Sequence, residues 1–356
     1  MRSSTGKHFP ALDHVRALAA FMVFSWHFLH SSNGYPVSFS AAVPPLLSIF
    51  QEGHTGVALF MVLSGYLFAT ILANNRIHYG YFLLNRFLRL MPLLIVVMSI
   101  IGINHCLEGG DILAYGNTLI RGFILPIWPN GGWSIAVEIQ FYLILPFLLR
   151  LQHISRLALP LVVLLMIIVR MGIWWEVGEV QTLSYWTLVG RIDQFVLGIV
   201  AARERLLIGK NPWAVPAGIC IFLFLTDYFR ELGGFYNIPS YPSPHPLWII
   251  LPTIEGLAYG SFIAWYDCRL MQLAENRFSQ IIARIGSWSY SMYLLHFFWV
   301  FVLADFVNTQ LMDISDFCLA LPCALICFLL LTPVACLSFH FIEMPFLKFR
   351  KKYLLN

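Results

Sequence analysis

Arg16 and His27 lie 11 residues apart in the first apolar stretch of the chain. On an α-helix that spacing puts both side chains on one face, about 16 Å apart along the axis. A guanidinium and an imidazole are costly inside a bilayer, so their presence there points to function. Histidine suits general-base work near neutral pH, or can act as a nucleophile. The plainer reading is a neutral buried histidine with a hydrogen-bond partner. Arg86 and Arg89, three residues apart, project from one side of a helix. Such a pair can clamp phosphate or pyrophosphate, and it can also be ordinary cytoplasmic anchoring. Glu138 follows the turn Gly131-Gly132-Trp133-Ser134, early in another apolar run. A carboxylate there can orient an imidazole or hold a proton. Arg191 and Asp193, at i and i+2, do not face each other on one helix and need partners on neighbouring helices. His296, Glu255, His340 and Glu343 are further polar residues in apolar surroundings.

The elements that carry these residues must be membrane helices. Of 356 residues, 59% are hydrophobic and 11% charged, with a mean hydropathy of +0.75. Soluble domains carry about 25% charged residues, so a soluble fold is excluded. We read an all-α polytopic bundle of about ten spans: 12–30, 55–73, 87–105, 134–151, 157–175, 186–202, 213–229, 247–266, 288–306 and 318–341. With the N-terminus inside, 17 of the 22 Lys and Arg residues fall on cytoplasmic loops and ends, and only Arg121 and Arg230 outside. This asymmetry supports ten spans with both termini cytoplasmic. The apolar stretch 112–128 is expected to be interfacial, because an eleventh span would destroy the asymmetry downstream. Acidic and aromatic residues gather in the outer loops. The whole chain, 1–356, is expected to form one transmembrane domain without an appended soluble one. The first apolar run is too long, and too interrupted by Arg16 and His27, for a cleavable signal. The seven cysteines contain no C-x-x-C pair, which supports neither a disulfide framework nor a zinc site. Only Cys106 is expected in a loop.

Taken in order, the motifs resemble those of the acyltransferase-3 family of integral membrane acyltransferases. Leu12-Asp13-His14-Val15-Arg16-Ala17 through His27 resembles its opening block with an R-x10-H spacing. Gly56 to Leu67, Asn85-Arg86-Phe87-Leu88-Arg89-Leu90-Met91-Pro92, Trp133-Ser134 to Tyr142, Arg191 to Phe195, Ser289 to His296 and Phe341 to Phe346 resemble later blocks. The resemblance covers nearly the whole chain. His14 stands where a Gly is usual, Asn85 where the first Arg of an RR pair is usual, and Ile139 where many members have a second Glu. The Asn85 change removes positive charge from the donor site, and the Ile139 change leaves Glu138 the only carboxylate in its block.

The resemblance implies transfer of an acyl group, acetyl first, from cytoplasmic acyl-CoA to a hydroxyl of an extracytoplasmic glycan or lipid-linked saccharide. It implies His27 and Glu138 as catalytic residues and Arg16, Arg86 and Arg89 as donor-binding residues. Trp133, Ser134, Asp193 and His296 are expected to contact substrate. No metal is required, since acetyl-CoA brings an activated thioester, and no nucleic acid is expected as a partner. Lipopolysaccharide O-antigen is the first acceptor class, and the location is the bacterial inner membrane. The rival class is a transporter or flippase, which could also place Arg, His and Glu along a path through the bundle.

Overall fold

The computed structural model describes residues 9–30, 43–72, 76–270 and 276–355. Arg2 and Lys7, two of the 17 Lys and Arg residues read as cytoplasmic, lie outside these residues. Along the chain come α1 (Pro10–Leu29), the short α2 (Ser48–Gln51), α3 (Gly56–Leu72), the strand β1 (Arg76–Ile77) and α4 (Tyr79–Leu107). Then follow α5 (Ile112–Arg121), α6 (Gly132–Ile154), α7 (Ala158–Val177), α8 (Gln181–Trp186), α9 (Leu188–Arg203) and α10 (Arg205–Lys210). The C-terminal half holds α11 (Ala214–Glu231), α12 (Leu247–Leu270), α13 (Arg277–Ser287), α14 (Ser289–Leu295), α15 (Val300–Phe306), α16 (Phe317–Ser338), α17 (Met344–Leu347) and β2 (Leu354–Leu355). Among the described residues the protein is therefore all-α apart from a two-residue antiparallel ladder that pairs Arg76 with Leu355 and Ile77 with Leu354.

Every stretch read as a span contains helix, but among the described residues six are long and apolar enough to cross a membrane. These are Gly53–Leu72, Tyr79–Leu107, Gly132–Ile154, Ala158–Val177, Leu247–Arg269 and Phe317–Leu347. A seventh is obtained if Ser289–Phe298 and Val300–Leu311, bent by 60°, count as one. The others fall short for physical reasons: α1 and α9 are largely buried in the protein, and α11, with only a few buried residues, carries Asp227, Arg230 and Glu231 near its end. In α1, 15 of 20 residues are buried, Asp13 and His14 among them, so this helix meets protein on most sides and need not be apolar all round. The stretch 186–202 is broken at Thr187, whose hydroxyl caps α9 by accepting from the Gly190 N–H at 3.1 Å. The stretch 112–128 forms only the ten-residue α5, too short to cross. Cys106, expected in a loop, lies instead in the last turn of α4.

Helix α3 sits at the centre, against α1, α9 and α12. Its crossing with α9 is close because two glycines oppose backbone. A Cβ on Gly65 would lie 2.0 Å from the Phe195 carbonyl oxygen, and one on Gly198 2.1 Å from that of Val62. Membrane helices associate through such small-residue contacts. Gly65→Leu is therefore expected to destabilise the bundle by about 1–3 kcal/mol or more. Gly172→Leu, at a position with open space around it, should be tolerated. Thermal melting of the two variants in detergent measures the difference, and equal melting would show that the α3–α9 crossing can yield.

Candidate active site

A cavity opens between α1, α3, α4, α6 and α14, and four arginines face it: Arg16, Arg86, Arg89 and Arg350. The first comes from the early turns of α1, the next two from the early turns of α4. The spacing of three puts Arg86 and Arg89 on one wall, as the sequence suggests. Their surroundings differ. Arg16 is paired with Asp13 one turn earlier. Arg89 is paired with the fully buried Glu343, which also accepts from the Ser291 hydroxyl. Arg86 lies over the Phe68 ring at 5.1 Å and beside the Tyr142 hydroxyl, and forms no ion pair among the described residues.

The opposite wall belongs to α6. Ser134, Glu138 and Tyr142 recur every four residues and so share one face, spanning about 12 Å. Glu138 accepts from Tyr142 and, at 3.0 Å, from Ser64 of α3. At the Ser134 end the cavity closes on Tyr293. The Ser134 and Tyr293 hydroxyls are 2.7 Å apart, and both lie within hydrogen-bond reach of the Gly131 carbonyl, at 2.9 and 3.2 Å, so one donates to the carbonyl and the other to its fellow hydroxyl. Gly131 has a φ of 72°, a left-handed conformation that glycine adopts without penalty. A Cβ there would also meet the Tyr293 hydroxyl at 2.9 Å. The Gly131-Gly132 turn thus fixes the start of α6 and the closing hydroxyl pair together.

His27 lies beyond that pair rather than on the cavity wall. Its Nδ1 is 2.9 Å from the Val23 carbonyl and 3.3 Å from Nε2 of His296. The Nδ1 of His296 is 2.6 Å from the Tyr293 carbonyl. A carbonyl can only accept, so both histidines place a proton on Nδ1. Nε2 of His296 then accepts a share of the His27 Nδ1–H, and Nε2 of His27 keeps its lone pair. Phe297 and Phe301 pack around the His27 ring at centroid distances of 4.5 and 5.9 Å. The helix pair bends at Trp299, directly after the 3-10 turn His296–Phe298. That turn is what presents His296 to His27.

The sequence-predicted residues therefore form two neighbouring groups. Arg16, Arg86, Arg89, Ser134 and Glu138 share the cavity; His27 and His296 share a contact one residue layer beyond it. Among the described residues no hydrogen bond joins Glu138 to His27, so the imidazole is oriented by Val23 and His296 instead. Trp133 and Asp193 do not reach the cavity. Trp133 packs on Tyr185 and Trp186 at 5.3 and 4.6 Å, with the Arg191 guanidinium 5.7 Å from its ring. Asp193 is fully buried, 2.8 Å from Arg170 and 2.6 Å from the Thr253 hydroxyl. Sequence reading missed His54. Beside Trp26, at 5.0 Å, it lies 3.2 Å from Glu52 and against Phe235. Its position just before the Gly56 block was the available signal. Arg350 was also missed as a site residue, because the run Lys348 to Lys352 looks like plain anchoring charge.

Comparison with known proteins identifies the family. A model described as Acyltransferase domain matches residues 9–336. Acyltransferase MdmB of Streptomyces mycarofaciens is 26% identical, over 81% of this chain and 78% of its own length. Peptidoglycan O-acetyltransferase OatA of Listeria monocytogenes is 24% identical over 96% of this chain, which spans 56% of that relative's length. No solved structure matches. A family match over most of the chain decides against the transporter reading. An arginine-lined cavity ending one layer from a histidine, in a bundle whose ordered motifs match along nearly its whole length, places this chain in the acyltransferase-3 family of integral membrane O-acyltransferases.

Proposed function

We propose that this protein moves an acyl group, acetyl first, from cytoplasmic acyl-CoA to a hydroxyl of an extracytoplasmic glycan. It does so in the bacterial inner membrane, with ten membrane-crossing segments and both termini in the cytoplasm. The observation that carries the reading is the pairing of an arginine cavity with a histidine whose Nδ1 proton is committed and whose Nε2 is free. Arg86 and Arg89, with Arg16, hold the phosphates of the donor at the cytoplasmic mouth. The pantetheine arm runs along the Tyr142, Glu138 and Ser134 ladder. Its amides are hydrogen-bond donors that the Glu138 carboxylate can accept. Movement of the Ser134–Tyr293 pair lets the thioester reach His27.

His27 Nε2 then takes the proton of the acceptor hydroxyl as its oxygen attacks the thioester carbonyl. The carbon–sulfur bond breaks and the proton passes to the departing thiolate. In the alternative, Nε2 itself attacks the thioester carbonyl and expels the CoA thiolate; the acceptor oxygen then takes the acetyl group from Nε2, and the hydroxyl proton passes to the thiolate. In either case His296 is a positioning residue, because it shares the Nδ1 proton rather than meeting the reacting atoms. The acceptor placed first is lipopolysaccharide O-antigen. The relative named for peptidoglycan makes cell-wall glycan the second. Mass spectrometry of envelope glycans, with and without the protein, tests the reading. An added acetyl mass that depends on the protein supports it, and identical glycans under both conditions would remove it.

Arg86→Lys gives a finer test of donor binding. Lysine keeps the charge but loses the planar fork that matches phosphate. The apparent KM for acetyl-CoA is expected to rise roughly tenfold, the equivalent of one lost charge-assisted hydrogen bond. An unchanged donor dependence in a steady-state assay would leave the arginine with topology alone.

A further inference from the structure

We propose that Arg350, carried on the C-terminal tail and held in place by Asn85, is a further ligand for the phosphate groups of the donor, alongside Arg86. The proposal takes the identity of the donor from the reading above, and the place of the arginine from geometry alone.

Within the basic run at the end of the chain the residues divide sharply. Lys348, Lys351 and Lys352 are exposed, whereas Arg350 turns inward and lines the same cavity as Arg16, Arg86 and Arg89. A run used only for anchoring would leave all its charges among lipid headgroups. Arg16 and Arg89 already have carboxylate partners in Asp13 and Glu343. Arg86 and Arg350 form no ion pair among the described residues, and the Nε of each is buried without a hydrogen-bond partner. Buried guanidinium donors left unsatisfied in a shared cavity call for an anion. Burial, followed by the nearby charges of Arg86 and Arg89, pushes Arg350 down to about 9, well below the ordinary arginine value. Two or more phosphates would relieve that repulsion, and arginine forks match them geometrically.

The tail is built to hold this position. The Asn85 side chain donates to the Lys351 carbonyl at 2.7 Å and accepts from the Lys351 N–H at 2.9 Å. The His78 N–H donates to the Tyr353 carbonyl at 2.8 Å, and Tyr353 is buried against Phe82. The β1–β2 ladder completes the attachment. Asn85 stands where an arginine is usual in the resembling motif. Here its amide grips the backbone next to Arg350, so the positive charge missing at 85 is supplied from 350. Asn85 is a positioning residue in this account, and Arg350 the ligand.

The test uses the full-length protein in nanodiscs, with calorimetric titration of CoA and, separately, of inorganic pyrophosphate. Arg350→Ala is expected to weaken CoA binding about tenfold or more, and to raise the KM for acetyl-CoA more than it lowers kcat. Asn85→Ala should shift both in the same direction. Lys348→Ala with Lys352→Ala should shift neither, at the same ionic strength. Wild-type CoA affinity in Arg350→Ala, or an equal loss in the lysine double variant, would overturn the proposal. If Arg350→Ala fails to fold, Arg350→Gln, which keeps much of the stem, is judged by the same criteria. If the wild-type protein binds no CoA, the donor reading fails on its own. Pyrophosphate then decides the site: binding that Arg350→Ala removes supports the anion ligand, and binding it leaves intact removes it.

Discussion

Replacing His27 with alanine is expected to lower acyl transfer by about 100- to 10,000-fold, the range that one general base contributes. The bundle should still fold. His27 is only partly buried, and its ring makes two hydrogen bonds, one of them to a carbonyl of its own helix. Loss of His296 should cost less than loss of His27, because the Val23 carbonyl still holds the Nδ1 proton and Nε2 remains a base. The ordering distinguishes a reacting imidazole from a structural one. A histidine that merely fills space would show both substitutions affecting melting temperature and neither affecting turnover at matched protein level. Single-turnover assays of His27→Ala and His296→Ala, scaled to folded protein, read this directly.

The largest effect on stability is expected elsewhere, at Arg170. Its guanidinium is wholly buried and every nitrogen of it donates: to the Ile249 and Gly190 carbonyls at 2.7 and 2.9 Å, to Asp193 at 2.8 Å and to the Thr253 hydroxyl at 2.9 Å. One residue on α7 thereby ties α9 to α12. Arg170→Met would leave the Asp193 carboxylate buried with Thr253 as its remaining partner, since its Oδ1 already has none. Breaking a buried pair by removing one member costs about 3–5 kcal/mol. The variant should lose folded protein in detergent, with donor binding unaltered in whatever fraction folds. A variant that melts like wild type would show that water or lipid headgroups reach this pair.

Much of the site was legible in the sequence because its spacing is helical. Arg86 and Arg89, and likewise Ser134 and Glu138, sit at helix period on one face, and all four line one cavity with Arg16. What spacing cannot reveal is which helix stands opposite. Glu138 was expected to orient His27, yet the partner is His296, delivered by a bend that follows no proline or glycine. Asp193 was expected to meet a partner on a neighbouring helix, and to contact substrate only through the family resemblance. Its partner Arg170, 23 residues earlier, explains the charge structurally. The fold was legible as all-helical and membrane-embedded from composition alone. The number of spans was less so, because α1 and α9 are buried within the bundle, α11 carries Asp227, Arg230 and Glu231, and hydropathy alone does not separate a buried helix from a crossing one. Arg350 was hidden by its neighbours. Three exposed lysines surround it, and only the fold of the tail, gripped by Asn85, turns it inward.

The central claim is transfer through the bundle, from a donor on the arginine face to an acceptor on the other. Proteoliposomes of uniform orientation, loaded with a glycan acceptor and given labelled acetyl-CoA outside, test it most directly. With the Arg86 face outward, label should accumulate on the enclosed glycan, and the His27→Ala protein should leave it unlabelled. Label appearing only when donor and acceptor share one side would contradict the account.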